Sequence, residues 1–301
     1  MALSEREANM ENQANKLQAL VGNASSQENS NSKTKFIAIT SGKGGVGKST
    51  VSANMANVLA NNGYKVALFD ADIGLANLDV ILNVRIEKNI LHVLKGECSL
   101  NDIIVQVKKN LILIPGESGD EILKYSEQFL YERFFEETKV LNDLDFMIID
   151  TGAGIGEHIQ LFLEAADEVI VVTVPDPAAI TDAYATIKIT SKSQSNIHLI
   201  LNMTKNEREA QLIFDKINKV AMANIGGELK LNLIGKLPED KLISKSIKQR
   251  TLFTNDAPNS LASLDMKRIV NNLVYKLERK VLKNDTGKSF GSFFKRIIEQ
   301  F

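Results

Sequence analysis

Residues 36–50 read FIAITSGKGGVGKST, and few stretches leave a chain less freedom. An apolar, β-prone run enters a glycine-rich turn, and a helical pattern begins at Lys48. Gly42, Gly47, Lys48 and Ser49 satisfy the spacing G-x-x-x-x-G-K-[ST]. Glycines there let backbone N–H groups converge on phosphate oxygens, and the following helix aims the positive end of its dipole at them. A strand before and a helix after separate such a loop from a glycine turn that matches by chance.

The rest of the body repeats the pattern. FIAIT (36–40), VALFD (66–70), LILIP (111–115), FMIID (146–150), VIVVTV (169–174), IHLIL (197–201) and LNLIG (231–235) are short apolar runs rich in Val and Ile. Helical periodicity fills 48–61, 156–166, 178–190, 206–222 and 259–283 between or after them. Near-continuous apolar strands alternating with helices predict an α/β P-loop fold, a twisted, mostly parallel sheet covered by helices on both faces. Ligands of such sheets bind beyond the carboxyl ends of the strands, so the polar residues there carry the chemistry.

Roles follow from that placement. The backbone of Gly44, Gly45, Val46 and Gly47 is expected to surround the phosphates. Lys48 should reach the β- and γ-phosphates, Ser49 should ligate Mg²⁺, and Thr50 should meet the α-phosphate. Asp150 ends FMIID and is expected to hold Mg²⁺ through water. The glycine-rich TGAGIG (151–156) after it can shift with the γ-phosphate. Asp72, two residues beyond the strand that ends at Asp70, is placed either to orient an attacking water or to cap the stretch from Gly74. The base is expected to be adenine: NMTK (202–205) lacks the Asn-Lys-x-Asp pattern that reads guanine. Asn202 offers a base-edge contact, and Pro238 and Asp240 of LPED could flank the ring. ATP with Mg²⁺ is therefore the expected ligand. Lys43 has no evident task inside its own loop.

Composition narrows the remaining classes. The formal net charge of −1 among 301 residues gives no global attraction to nucleic acid. No apolar run approaches the ~20 residues of a membrane span. The start, MALSEREANMENQ, lacks the basic-then-apolar pattern of a signal peptide. Cys98 is the single cysteine, which excludes an intrachain disulfide framework or a cysteine-ligated cluster and fits a reducing cytoplasm. His92, His158 and His198 are scattered and suggest no metal site.

The two ends differ from the body. NASSQENSNS (23–32) reads as a flexible linker, with Met10, Ala14, Leu17 and Val21 at helical spacing before it. That pattern fits a partner-binding helix or an unstructured tail. At the other end Phe290, Phe293, Phe294, Ile297, Ile298 and Phe301 form one stripe at i, i+3, i+4, i+7, i+8 and i+11. Lys288, Lys295 and Arg296 lie at its entry or beside it. Such a helix either rests in a membrane interface or packs on the body, and the two can alternate.

KGGVGKST (43–50), with DADIGLANLD (70–79) as a first switch, resembles the deviant Walker-A signature of the MinD/ParA group of P-loop ATPases over roughly residues 35–283. That resemblance implies an ATP-bound homodimer in which Lys43 crosses to the phosphates of the partner subunit, and it makes Lys43, Lys48 and Asp72 the catalytic set. Iron–sulfur carriers of the group need cysteines that this chain lacks. Partition ATPases bind DNA through basic surfaces; a pI of about 6.4 and no strong Lys/Arg cluster in the body argue against nucleic acid. The arsenite-pump members are tandem. Members of the MinD type share the C-terminal amphipathic helix. PDPAAITDAYATIK (175–188), DTGAGI (150–155) and NQANKL (12–17) are similar to segments of the FlhG/FleN group of MinD-like flagellar regulators, with Asn12 in place of that group's aspartate. This likeness implies that Gln13, Ala14 and Leu17 dock on an FlhF-type GTPase. It also implies flagellar switch-complex proteins or a flagellar transcription regulator as further partners, and an anionic membrane surface met by the tail. The expected organisation is a partner-binding helix and linker (1–33), an ATPase domain (34–283), and a linker with a membrane-targeting helix (284–301). The expected location is cytoplasmic, reversibly at the inner face of the cell membrane. MinD-like division-site or ParA-like partition ATPases are the alternatives.

Overall fold

A computed structural model describes residues 34–72, 77–116, 136–281 and 289–298, without the side chains of 279–281 and 298. Gln13, Ala14 and Leu17, with the whole of 1–33, lie outside the described residues, as do Ala76 of the first switch and Phe301.

The anticipated strands form one eight-stranded sheet. They are β1 (Lys35–Ser41), β2 (Val66–Ala71), β3 (Val105–Lys108), β4 (Leu111–Pro115), β5 (Phe146–Ala153), β6 (Glu168–Thr173), β7 (Asn196–Thr204) and β8 (Lys230–Pro238). Their order is β3-β4-β2-β5-β1-β6-β7-β8. All neighbours run parallel except the hairpin pair β3–β4, whose short edge strand β3 carries no apolar run and escaped the sequence reading. β1 lies between β5 and β6; the chain crosses from it to β2 on one side and later steps outward through β6, β7 and β8 on the other. The carboxyl end of β1 therefore opens the crevice in which such folds bind ligands.

Side chains alternate across the sheet and divide the core in two. Phe36, Ala38, Phe69, Met147, Ile149 and Val171 point to one face; Ile37, Ile39, Leu68, Ile148 and Ile170 point to the other. The second face is covered chiefly by α1 (Lys48–Asn61), α2 (Leu78–Leu82), α8 (Phe253–Asp256) and α9 (Leu261–Val281). The first is covered by α3 (Ile90–Leu94), α4 (Glu157–Ala165), α5 (Pro177–Thr190) and α6 (Glu207–Asn224). The α1 helix is so deeply enclosed that Ser52, Asn54 and Asn57 are buried too. The amide nitrogen of Asn57 donates to Thr254 Oγ1 at 2.7 Å, and Asn54 Oδ1 accepts from the Thr254 N–H at 3.1 Å. These bonds pay the desolvation cost of polar groups that a purely apolar helix would not carry.

The helix α7 (Lys241–Gln249) follows β8 and contradicts one expectation. Lys241, Lys245 and Lys248 recur at i, i+4 and i+7 on its exposed side, and exposed Arg250 forms its C-cap. The body does contain a local basic cluster. It was missed because the intervening Leu, Ile and Ser residues dilute it in the sequence.

The last described helix, α10 (Phe290–Ile298), lies on the first face. Phe290, Phe293, Phe294 and Ile297 are all buried. Phe293 stacks on Phe36 of β1, with centroids 4.7 Å apart and planes 3° apart. Phe290 and Phe294 each meet the edge of Phe69 of β2 at 6.2 Å. The body-packed alternative is the arrangement seen here. Ile298 closes the helix.

Candidate nucleotide site

Between β1 and α1 the chain turns through residues 42–47. Gly45 and Gly47 hold φ of 79° and 87°, left-handed values that a side chain would strain. Gly42 is glycine for another reason: a Cβ there would stand 2.3 Å from the backbone of Asp182 in α5. The loop is thus seated on α5, while Gly44 and Gly45 face open space. An exposed, glycine-lined cradle at the start of a helix suits an oxyanion.

The Lys48 side chain is buried at the base of this cradle. Its Nζ donates to Asp150 Oδ1 at 3.0 Å and stands 3.8 Å from Asp72 Oδ2. Ser52, one turn after Lys48, donates its Oγ–H to the same Asp150 oxygen at 2.8 Å. Asp72 also faces Gly152 of the TGAGIG stretch, where an added Cβ would come within 3.2 Å of Asp72 Oδ1. The structure brings Lys48, Asp72 and Asp150 together, and Ser49 and Thr50 lie half-buried at the head of α1.

Asp70 joins this group. It pairs with Asp150 across the β2–β5 ladder. Burial, with the Asp150 charge adding to it, pushes its carboxyl up to about 7. The N–H groups of Asp72 and Leu78, donating at 3.3 and 3.4 Å, work against that rise. Three carboxylates thus cluster around one ammonium, a local negative excess that a divalent cation would balance. Among the described residues no three His, Cys, Asp or Glu side chains already form a metal cage. Mg²⁺ is commonly held by one or two carboxylates together with substrate phosphates, and Asp150 and Ser49 are the residues that could supply the protein's share.

Lys43 stands apart. It is about half exposed, and its Nζ lies 3.5 Å from Asp176 Oδ1, the residue that caps α5. The Ala179 N–H donates to that same oxygen and, with burial opposing and Lys43 assisting, holds the carboxyl below its usual range. Asn202 lies beside the loop. Its side chain is turned into the loop, its Nδ2 donating to the Val46 carbonyl at 2.8 Å. Pro238 and Asp240 do reach the neighbouring rim: Pro238 pairs with Thr204, and Asp240 caps α7 by accepting from the Leu242 N–H at 2.8 Å.

Known proteins match this geometry. The profile of the ParA family, described as NUBPL iron-transfer P-loop NTPase, matches residues 32–274. The chain belongs to the MinD/ParA family of P-loop NTPases. Within it the chain groups with the FlhG/FleN proteins. It is 48% identical over 293 residues to the flagellum site-determining protein YlxH of Helicobacter pylori, covering 96% of this chain and 99% of that one. It is 33% identical to the antiactivator FleN of Pseudomonas aeruginosa over 78% of this chain and 84% of that relative. Among solved structures, MinD from the MinC:MinD complex of Aquifex aeolicus aligns with a TM-score of 0.65 and 31% identity, over 80% of this chain and 96% of that one. MinD of Pyrococcus horikoshii, solved with Mg-ADP, aligns with a TM-score of 0.65 and 27% identity, over 83% and 100%.

The remaining polar groups serve structure. His92 closes a capping box with Asn89 at the start of α3. His198 is buried at the far end of the sheet from the loop, 3.0 Å from Glu168. Asp70 and Ser52 are site residues that sequence reading missed. Asp70 was visible as the end of a strand, but only its pairing with Asp150 makes it part of the site.

Proposed function

We propose that this chain is an ATP-driven dimerising switch that regulates flagellar number and placement at the cytoplasmic membrane. The family membership and the relatives named for flagellar roles support the general reading. The buried stripe of α10 carries the specific one. A helix that could lie in a membrane interface is packed on Phe36, in the strand that leads into the phosphate loop. ATP-bound protein would dimerise with Lys43 crossing to the partner's phosphates, and α10 would leave its groove for an anionic membrane surface. Gln13, Ala14 and Leu17 would then engage an FlhF-type GTPase. Flagellar switch-complex proteins or a flagellar transcription regulator are further partners in this reading. Hydrolysis, with Asp72 orienting the water, would return a cytosolic monomer slowly.

Asp72→Ala tests the cycle. Sedimentation with ATP and Mg²⁺ should find a stable dimer that turns over little ATP; a monomer under those conditions removes Asp72 from the hydrolytic step. The second reading, a ParA-like partition ATPase, draws on the basic side of α7. Retention on DNA without flotation on anionic vesicles would favour it.

A further inference from the structure

Asn202 holds a position between two parts of the site that the fold otherwise keeps separate. Its side chain is 6% exposed, and both of its ends are engaged. Nδ2 donates to the Val46 carbonyl at 2.8 Å, a bond spanning 156 residues of chain, and Oδ1 accepts from the Met203 N–H at 2.9 Å. The fit to the loop is close: a Cβ on Gly47 would stand 2.4 Å from Asn202 Nδ2. Met203 adopts φ of 54°, a conformation that non-glycine residues seldom take, with its N–H tied to Asn202. Thr204, the next residue, donates its hydroxyl to the Leu237 carbonyl at 3.1 Å and accepts from the Glu239 N–H at 3.2 Å. Two sets of hydrogen bonds, joined by the β7 backbone at 203–204, therefore link the loop to the Pro238–Asp240 rim.

The peptide plane gives this contact a consequence. In a trans peptide the carbonyl of one residue and the N–H of the next point in opposite directions. Holding the Val46 carbonyl against Asn202 therefore turns the Gly47 N–H away from β7. Gly47 is also the residue whose left-handed φ lets the loop form an anion-binding concavity.

We propose that Asn202 is a positioning residue for the phosphate loop: it fixes the Val46–Gly47 peptide plane and couples the base rim to the phosphates. The proposal rests on residues 42–49 being the phosphate site. It differs from a base-edge contact in one measurable way, because a positioning residue matters to a ligand that has no base.

Calorimetry on the full chain with Mg²⁺ would compare ATP with inorganic tripolyphosphate, for wild type, Asn202→Ala and Asn202→Ser. The expected result is loss of affinity for both ligands by a similar factor, at least fivefold, in each variant. Asn202→Ser guards against misfolding, since it removes the 2.8 Å bond while leaving a small polar side chain. Loss for ATP alone would make Asn202 a base contact and overturn the proposal, as would no loss for either ligand. Wild-type protein that binds neither ligand would overturn the phosphate-loop reading and this proposal with it. Wild-type binding that survives Lys48→Ala unchanged would overturn the loop reading separately.

Discussion

At the residue scale the two lysines of the loop have different surroundings. Lys48 is buried among carboxylates, whereas Lys43 makes a single exposed pair with Asp176. An exposed pair is screened by solvent and too weak to hold Lys43 against a phosphate. Lys43→Ala should therefore keep substantial ATP binding by calorimetry yet lose ATP-induced dimerisation by light scattering; intact dimerisation would end the crossing role. Asp70 makes a second prediction. Its folded-state value of about 7 exceeds the unfolded 3.8, so folding favours its protonated form. The stability this contributes is complete below about pH 3.8 and is lost as pH rises through about 7. Urea unfolding of the nucleotide-free protein should show a smaller fall between pH 5.5 and 8 in Asp70→Asn than in wild type. Equal falls would dismiss Asp70 as the source. Lys48 and Asp150 were legible in the sequence because a fixed motif and a strand end define them. Asp70, Ser52 and the turn of Asn202 into the loop were not, because each depends on a partner about 80 to 160 residues away in the chain.

At the scale of elements, long periodic segments declared themselves and short ones did not. The anticipated helix 48–61 is α1 residue for residue, and 259–283 became Leu261–Val281. By contrast α2, α8 and β3 have only four or five residues each, too few for periodicity to register. The stripe of α10 was legible, but its resting place was not, since a groove and a membrane interface select the same pattern. Each of its buried aromatic and aliphatic side chains gains roughly 1.5–3 kcal/mol over exposure, whichever of the two covers it. A membrane interface would bury the same stripe about as well as the groove does, so small polar terms would decide between the two coverings. Arg296 supplies one: its Nε and Nη2 are buried without a hydrogen-bond partner among the described residues. Asp167 is close enough for its charge to favour the cation, though burial outweighs it. An unpaired buried donor costs about 1–3 kcal/mol. Arg296→Met should accordingly tighten docking, slowing amide exchange along α10 without lipid or nucleotide. Faster exchange would mean that Arg296 holds the helix down.

For the whole molecule, the sheet connects the two sites. β1 carries Phe36 beneath α10 at one end and the phosphate loop at the other. A single interfacial helix anchors marginally, and two on a dimer gain avidity of about 10²–10⁴ without new contacts. Deleting residues 286–301 should abolish ATP-dependent flotation with anionic vesicles while leaving ATP-dependent dimerisation intact. Flotation of the shortened chain would move the membrane contact elsewhere, with the basic side of α7 the first place to look. Sequence alone could point to the loop motif and the terminal stripe. It could not show that both parts share one strand, because that proximity is created by the sheet order.

The path from α9 to α10 sets the terms on which the groove can be contested. α9 covers one face of the sheet and α10 the other, and only residues 282–288 join Val281 to Ser289. Such a tether reaches roughly 25 Å even when extended. A segment joined by so few residues meets its groove as an intramolecular partner, which a dilute free peptide does not. A free peptide copying the stripe would therefore displace it only at high concentration. In the proposed cycle, lengthening 282–288 should weaken that advantage without touching a single contact.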